Sequence, residues 1–240
     1  MQRALLMLQE LYRAYGELAA ERRGLACVPG CFACCSDRVQ LITLEGAFLL
    51  EGLERAGRRD LLPRVLAAAG SRPAPAATMN RLAELVQRGQ EPPPEPGPEA
   101  GQGACPLLED GLCAVYEYRP LACRTMASLR RCRAGGEALE DPWWLTLNTA
   151  FFQLVEQAAA GGGFGWLPDV LARLAGESGG ELLPCRNLCG LPAPPEHQQR
   201  LQHTLERMFA RPLEGRPLGR WLQDLRDGAW AGTCELRGWW

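Results

Sequence analysis

Cys27-Val-Pro-Gly-Cys31-Phe-Ala-Cys34-Cys35 places four thiols within nine residues. A second group follows at Cys105-Pro-Leu-Leu-Glu-Asp-Gly-Leu-Cys113-Ala-Val-Tyr-Glu-Tyr-Arg-Pro-Leu-Ala-Cys123-Arg. Gaps of two or three residues let one loop wrap a single metal centre, and thiolates are soft anionic ligands for zinc and for iron–sulfur clusters. Cys27, Cys31 and Cys34 have that spacing. Cys35 adjoins Cys34, and neighbouring side chains in extended backbone point to opposite sides. The pair therefore either serves two metal centres or supplies one ligand and one bystander. Cys105, Cys113 and Cys123 are spaced for a hairpin and turn to close the site from the far side. The expected fold is mainly α: an irregular helical domain with a small β-hairpin around a cysteine-ligated metal centre.

Composition agrees with a folded, reduced protein. A chain of 240 residues, 47% hydrophobic and 22% charged, can bury a full core. The net charge of -2 gives no basic footprint, so nucleic acid is not an expected partner. All 26 basic residues are arginine, which reads as compositional bias rather than a device. No apolar run reaches membrane-spanning length, and Glu10, Glu17 and Glu21 interrupt the N-terminal pattern, which is no signal peptide. A cytoplasmic location is expected, with no membrane partner, and there dense cysteines mean metal or redox chemistry. The odd total of 11 cysteines does not suit a closed disulfide framework.

Outward from the cysteines, Leu5, Leu8, Leu11, Tyr12, Tyr15, Leu18 and Ala19 predict an amphipathic helix over residues 2–23. Thr43 is placed to cap a helix at 44–56 and Thr78 to cap one ending near Gly89, with another over 59–69 carrying Pro63 in its first turn. Residues 91–103, rich in proline and glycine, read as an extended linker between 1–90 and 104–240. The two flanking parts are expected to fold as one cooperative domain. Asp110-Gly111 predicts the hairpin, with Cys105 and Cys113 on opposite arms, and Arg119-Pro120 ends it before a turn or short helix at Cys123. Apolar periodicity predicts helices at 143–160, with Trp144, Leu147, Phe151, Leu154 and Val155 facing the core, and at 168–175, 195–210 and 217–228. The hairpin is the one β element expected. The aromatic tail, Trp230 with Gly238-Trp239-Trp240, is expected to pack back on the body, as is Trp221.

The block Cys113-Ala-Val-Tyr116-Glu-Tyr-Arg119-Pro120-Leu-Ala-Cys123-Arg124, with Cys31-Phe-Ala-Cys34-Cys35 upstream, resembles the signature of the CxxCxxCC family of zinc- or iron-chelating, YkgJ-like cysteine-cluster proteins. The first gap here has three residues where some members have two. The resemblance implies eight cysteine ligands, carried over here as Cys27, Cys31, Cys34, Cys35, Cys105, Cys113, Cys123 and Cys132. Cys185 and Cys189 compete with Cys132 for the last place. A flagellin lysine N-methylase carries a cluster of this type, so the module can accompany an enzyme.

Zinc commonly mixes histidine with cysteine, but His197 and His203 lie six residues apart in a predicted helix and read as solvated. An all-thiolate set favours an iron–sulfur cluster (4Fe-4S), one or two of them, with Zn²⁺ as the alternative cofactor. Arg119 and Arg124 are placed to offset the charge of such a centre, and Tyr116 to pack over it, whereas Arg130, Arg131 and Arg133 read as a solvated turn. Cys27-x3-Cys31-x2-Cys34 also matches a radical-SAM spacing, with Gly135-Gly136-Glu137 as a superficial cofactor segment. A helix precedes that loop and no alternating strands and helices follow, which argues against a β/α barrel. The expected function is thus a metal-binding cysteine-cluster protein with a redox, electron-transfer or modifying-enzyme role and an unidentified protein or redox partner. The alternative is a zinc-stabilised, non-catalytic interaction module; a SAM-dependent enzyme is the more distant one. Whether the chain is an enzyme stays open.

Overall fold

The structure is a computed structural model that describes residues 2–28, 30–95, 103–132, 138–159 and 161–229. Helix α1 (Gln2–Ala20) places Leu8, Leu11, Tyr12 and Tyr15 on one buried face. A loop with the first cysteine group leads to strand β1 (Gln40–Ile42) and helix α2 (Thr43–Arg55). A 3₁₀ turn (Arg59–Leu61), α3 (Leu62–Leu66) and α4 (Met79–Gln87) complete the first half. The second cysteine group occupies the hairpin β2 (Leu108–Glu109) and β3 (Leu112–Cys113), a 3₁₀ turn (Tyr116–Tyr118) and α5 (Leu121–Thr125). The rest is α6 (Pro142–Ala158), β4 (Gly163–Trp166), α7 (Leu167–Ala175), β5 (Leu183–Pro184), α8 (Pro195–Phe209), β6 (Pro212–Leu213), β7 (Arg216–Pro217) and α9 (Leu218–Ala229).

Two apolar clusters organise these elements. The larger joins α1, α6, α8 and α9 through Leu8, Tyr15, Phe151, Leu154 and Leu205. The smaller, with Leu49, Leu53, Val65, Leu107, Val115 and Leu171, lies under the second cysteine group; Cys105, Cys113 and Cys123 pack on it. The mainly helical class is as expected. Among the described residues no helix is long and apolar enough to cross a membrane.

The β content is larger than the single hairpin expected. β1, β4 and β5 form an antiparallel sheet in which Gln40 pairs with Trp166 and Phe164 with Leu183, and β6 pairs with β7. These strands have two to four residues, too short for an alternating pattern to show, and β4 reads Gly-Phe-Gly-Trp. The sheet joins the segment after the first cysteine group to the C-terminal half.

Other differences are local. α1 ends at Ala20, three residues early. Thr43 is not the cap of α2 but its first residue, and its hydroxyl instead accepts from the Gly163 amide at 3.1 Å, tying α2 to β4. The helix expected over 59–69 divides into the 3₁₀ turn and the short α3. On α6 Trp143 is buried, while Trp144 is only partly so. Thr78 does cap α4, accepting from the Arg81 amide. The hairpin turns at Asp110 and Gly111 with φ of 48° and 77°, the left-handed pair that a two-residue turn of this hand requires. Most of the linker (96–102), Arg133, the segment 135–137, Cys234 and the aromatic tail from Trp230 lie outside the described residues. Trp221 is partly buried against the larger cluster, its indole donating to the Leu213 carbonyl at 2.9 Å.

Candidate metal centre

The two cysteine groups, some 70 residues apart in sequence, meet in space. The Cys105 amide donates to the Cys35 carbonyl at 3.1 Å, Ser36 bridges Ala104, and the Asp37 amide donates to Gly103. Residues 35–37 and 103–105 thus run antiparallel. Arg72 pairs with Asp37 at 2.6 Å beside this junction. Within the second group, Leu108 pairs with Cys113 across the hairpin, and the Leu108 amide donates to the Cys105 carbonyl at 3.0 Å, turning Cys105 back towards it. A second junction ties the Ala26 amide to the Ser128 carbonyl at 2.8 Å, bringing the Cys27 loop to the segment that carries Cys132.

The thiols feel one another's charge. Cys27 couples to Cys31, Cys132 and Cys34. The charges of Cys105, Cys123 and Cys113 act on Cys35, and those of Cys105, Cys113, Glu45 and Cys34 on Cys123. Burial, reinforced by this repulsion, pushes the Cys27, Cys105 and Cys123 thiols up. Cys34 and Cys35 do not point apart as extended neighbours would. They sit at a turn closed by the Cys35 amide on the Phe32 carbonyl at 2.9 Å, and the Cys34 thiol donates to Cys35. That bond raises Cys34 and lowers Cys35.

Among the described residues no three cysteine, histidine, aspartate or glutamate side chains converge on one ion-sized point. What the two paired segments supply is thiols near one another, and thiol chemistry suits a thiophilic metal. Metal binding takes up thiolates, so binding there releases protons.

The remaining candidates lie elsewhere or do other work. Cys185 and Cys189 flank a loop bound to α4 and α6: Glu156 accepts from the Asn80 and Arg186 amides at 2.8 and 2.7 Å, and Gln157 from the Leu188 amide at 2.7 Å. The charges that act on Cys185 are those of Glu156 and Glu45. His197 is bonded to Thr146 at 2.8 Å and edges onto Trp143, not solvated as expected. Arg119 stacks on Tyr116, 3.5 Å above its ring, and Tyr116 itself is exposed. Arg124 lies over Tyr12 and donates to the Arg119 and Glu117 carbonyls, so it braces the turn before Cys123.

Three residues absent from the expected set shape the site. Arg64 donates to the Pro106 carbonyl at 2.6 Å and is the guanidinium that acts on Cys105. Glu45, fully enclosed on α2, accepts from Tyr12 at 2.6 Å, from Ile42 at 3.1 Å and from the Leu121 amide at 2.7 Å, which fixes the first turn of the Cys123 helix. Gly52 lets the second group approach α2: a Cβ there would lie 2.5 Å from Tyr118 Cβ, and Tyr118 also packs on Phe48. Gly52→Ala should therefore lose a net ~1–2 kcal/mol by overpacking, although alanine is the better helix former. Thermal unfolding checks this; a higher midpoint would contradict it.

Two cysteine groups joined through the main chain on a helical frame have the character of a metal-binding cysteine-cluster domain. Residues 26–141 match the family model of CxxCxxCC, described as a putative zinc- or iron-chelating domain. The match takes in Cys27 through Cys132 and stops before Cys185. No curated protein and no solved structure matches the chain.

Proposed function

We propose that the chain holds iron–sulfur clusters on Cys27, Cys31, Cys34, Cys35, Cys105, Cys113, Cys123 and Cys132, and acts in electron transfer or as the redox part of a modifying enzyme. The observation that supports this is that the two cysteine-bearing segments are paired through the main chain at Cys35 and Cys105 while His197 is engaged elsewhere, and ligation by four cysteines is the pattern of four-iron clusters. When bound, such a cluster supplies one-electron chemistry. The chain's own residues set its surroundings. Cys27, Cys31 and Cys34 are exposed and offer an electron a short path to a partner. Cys123, half-buried against apolar side chains, lies at the more enclosed end. Arg64, beside Cys105, offsets thiolate charge.

Protein purified without oxygen should be brown, carry iron and acid-labile sulfide in near-equal amounts, and give a paramagnetic resonance signal on reduction. Cys31→Ala and Cys123→Ala should each lower the metal content. A colourless protein holding only zinc would overturn the iron–sulfur reading and leave a zinc-stabilised interaction module.

A further inference from the structure

We propose that the eight thiols form two centres: an inner one of Cys35, Cys105, Cys113 and Cys123, and an outer, exchangeable one of Cys27, Cys31, Cys34 and Cys132. This rests on the metal-binding reading above and goes beyond it in dividing the ligands and ranking their lability.

Backbone contacts draw the boundary. Cys35 is bonded to Cys105 through the main chain, Cys105 is turned onto the hairpin that carries Cys113, and Cys105, Cys113 and Cys123 rest on one apolar cluster. The helix of Cys123 is anchored at its first turn by the buried Glu45. The inner four are therefore fixed by the core. The outer four sit on two surface loops joined by the Ala26–Ser128 bond. Cys27, Cys31 and Cys34 are exposed, and Val28 and Phe32 between them stand 56% and 53% exposed. Cys34 and Cys35, in thiol contact, mark where the centres adjoin.

Ligands on exposed surface loops can leave a metal one at a time, with water replacing them, more readily than ligands packed on an apolar core. The outer centre is thus the one that loads, unloads and meets a partner.

Cobalt(II) serves as the probe, read by its thiolate absorption in the full chain under reducing conditions. Wild type should saturate at about two equivalents, four thiolates to each ion. Cys27→Ser, Cys132→Ser and the double variant should each saturate at about one equivalent, since all three lose the same centre. Cys27→Ser with Cys113→Ser should bind almost none. A chelator should strip half of the wild-type cobalt at least ~10-fold faster than the rest, and that fast half should be missing from Cys27→Ser. Circular dichroism of Cys27→Ser, whose substitution is on the surface, confirms that folding is intact. Saturation of wild type at one equivalent, or a double variant Cys27→Ser/Cys132→Ser that binds less than either single one, would overturn the division. Failure of wild type to bind cobalt, zinc or iron would instead remove the metal-binding reading itself.

Discussion

Glu45→Ala is expected to lower the unfolding free energy by about 4 kcal/mol and to reduce metal content with it. Glu45 is 3% exposed and its carboxylate takes three donors: the Tyr12 hydroxyl, the Ile42 amide and the Leu121 amide. Each donor left without an acceptor in the interior costs about 1–3 kcal/mol. The loss is not spread evenly, because Leu121 opens the helix that carries Cys123 and Tyr12 belongs to α1. Removing the carboxylate uncouples α1, α2 and α5 at once. Glu45→Gln should lose less, about 1–2 kcal/mol, since its oxygen can serve two of the donors while its amide group faces the third.

The pH dependence separates the two forms of residue 45. Burial holds the Glu45 carboxyl above its ordinary value of 4.5, against the pull of its donors and of Arg124. A raised carboxyl contributes stability that is complete below its unfolded pKa and is lost as pH rises through its folded one. The stability gap between wild type and Glu45→Gln should therefore narrow from pH 4.5 towards neutrality. Urea unfolding at several pH values measures it; a gap that widens, or a Glu45→Ala variant as stable as wild type, contradicts the account.

What the sequence disclosed and what it hid divide along locality. Asp110-Gly111 announced the hairpin and Thr78 the start of α4 because each acts on residues beside it in the chain. Cysteine spacing announced the two loops for the same reason. Glu45 was invisible because two of its partners are 33 and 76 residues away. The one local trace was its place three residues after Ile42, whose amide it accepts, a reciprocal pattern typical of helix starts. Thr43 looked like the better cap only because its alternative partner, Gly163, belongs to a four-residue strand that itself left no pattern. Arg64 was lost among 26 arginines whose abundance reads as compositional bias. The adjacent Cys34 and Cys35 showed that two centres were open to the chain, but the division of ligands needed the antiparallel pairing of 35–37 with 103–105, which no spacing states.

Glu140→Gln should lose about 3 kcal/mol and should weaken the outer cysteines before the inner ones. Arg22 follows α1 and leads into the Cys27 loop; Glu140 follows the Cys132 segment and leads into α6. Their ion pair is buried, the side chains 3% and 12% exposed, and Arg22 also lies 4.4 Å over the Trp144 ring. The pair closes the base of both outer loops, above which the Ala26–Ser128 and Leu129–Leu139 bonds continue the closure. Neutralising Glu140 leaves the guanidinium enclosed, with its Nε already lacking an acceptor. An uncompensated buried charge costs more than an ion pair contributes. The double variant Arg22→Met/Glu140→Leu should consequently recover most of the loss, because both charges leave together and apolar side chains refill the space. In denaturant unfolding the single variant should fall below the double one. In the cobalt titration the single variant should release its fast-exchanging half sooner, while the core-backed half stays at the wild-type rate. A double variant less stable than Glu140→Gln, or an equal loosening of both halves, would show that this ion pair does not hold the outer loops.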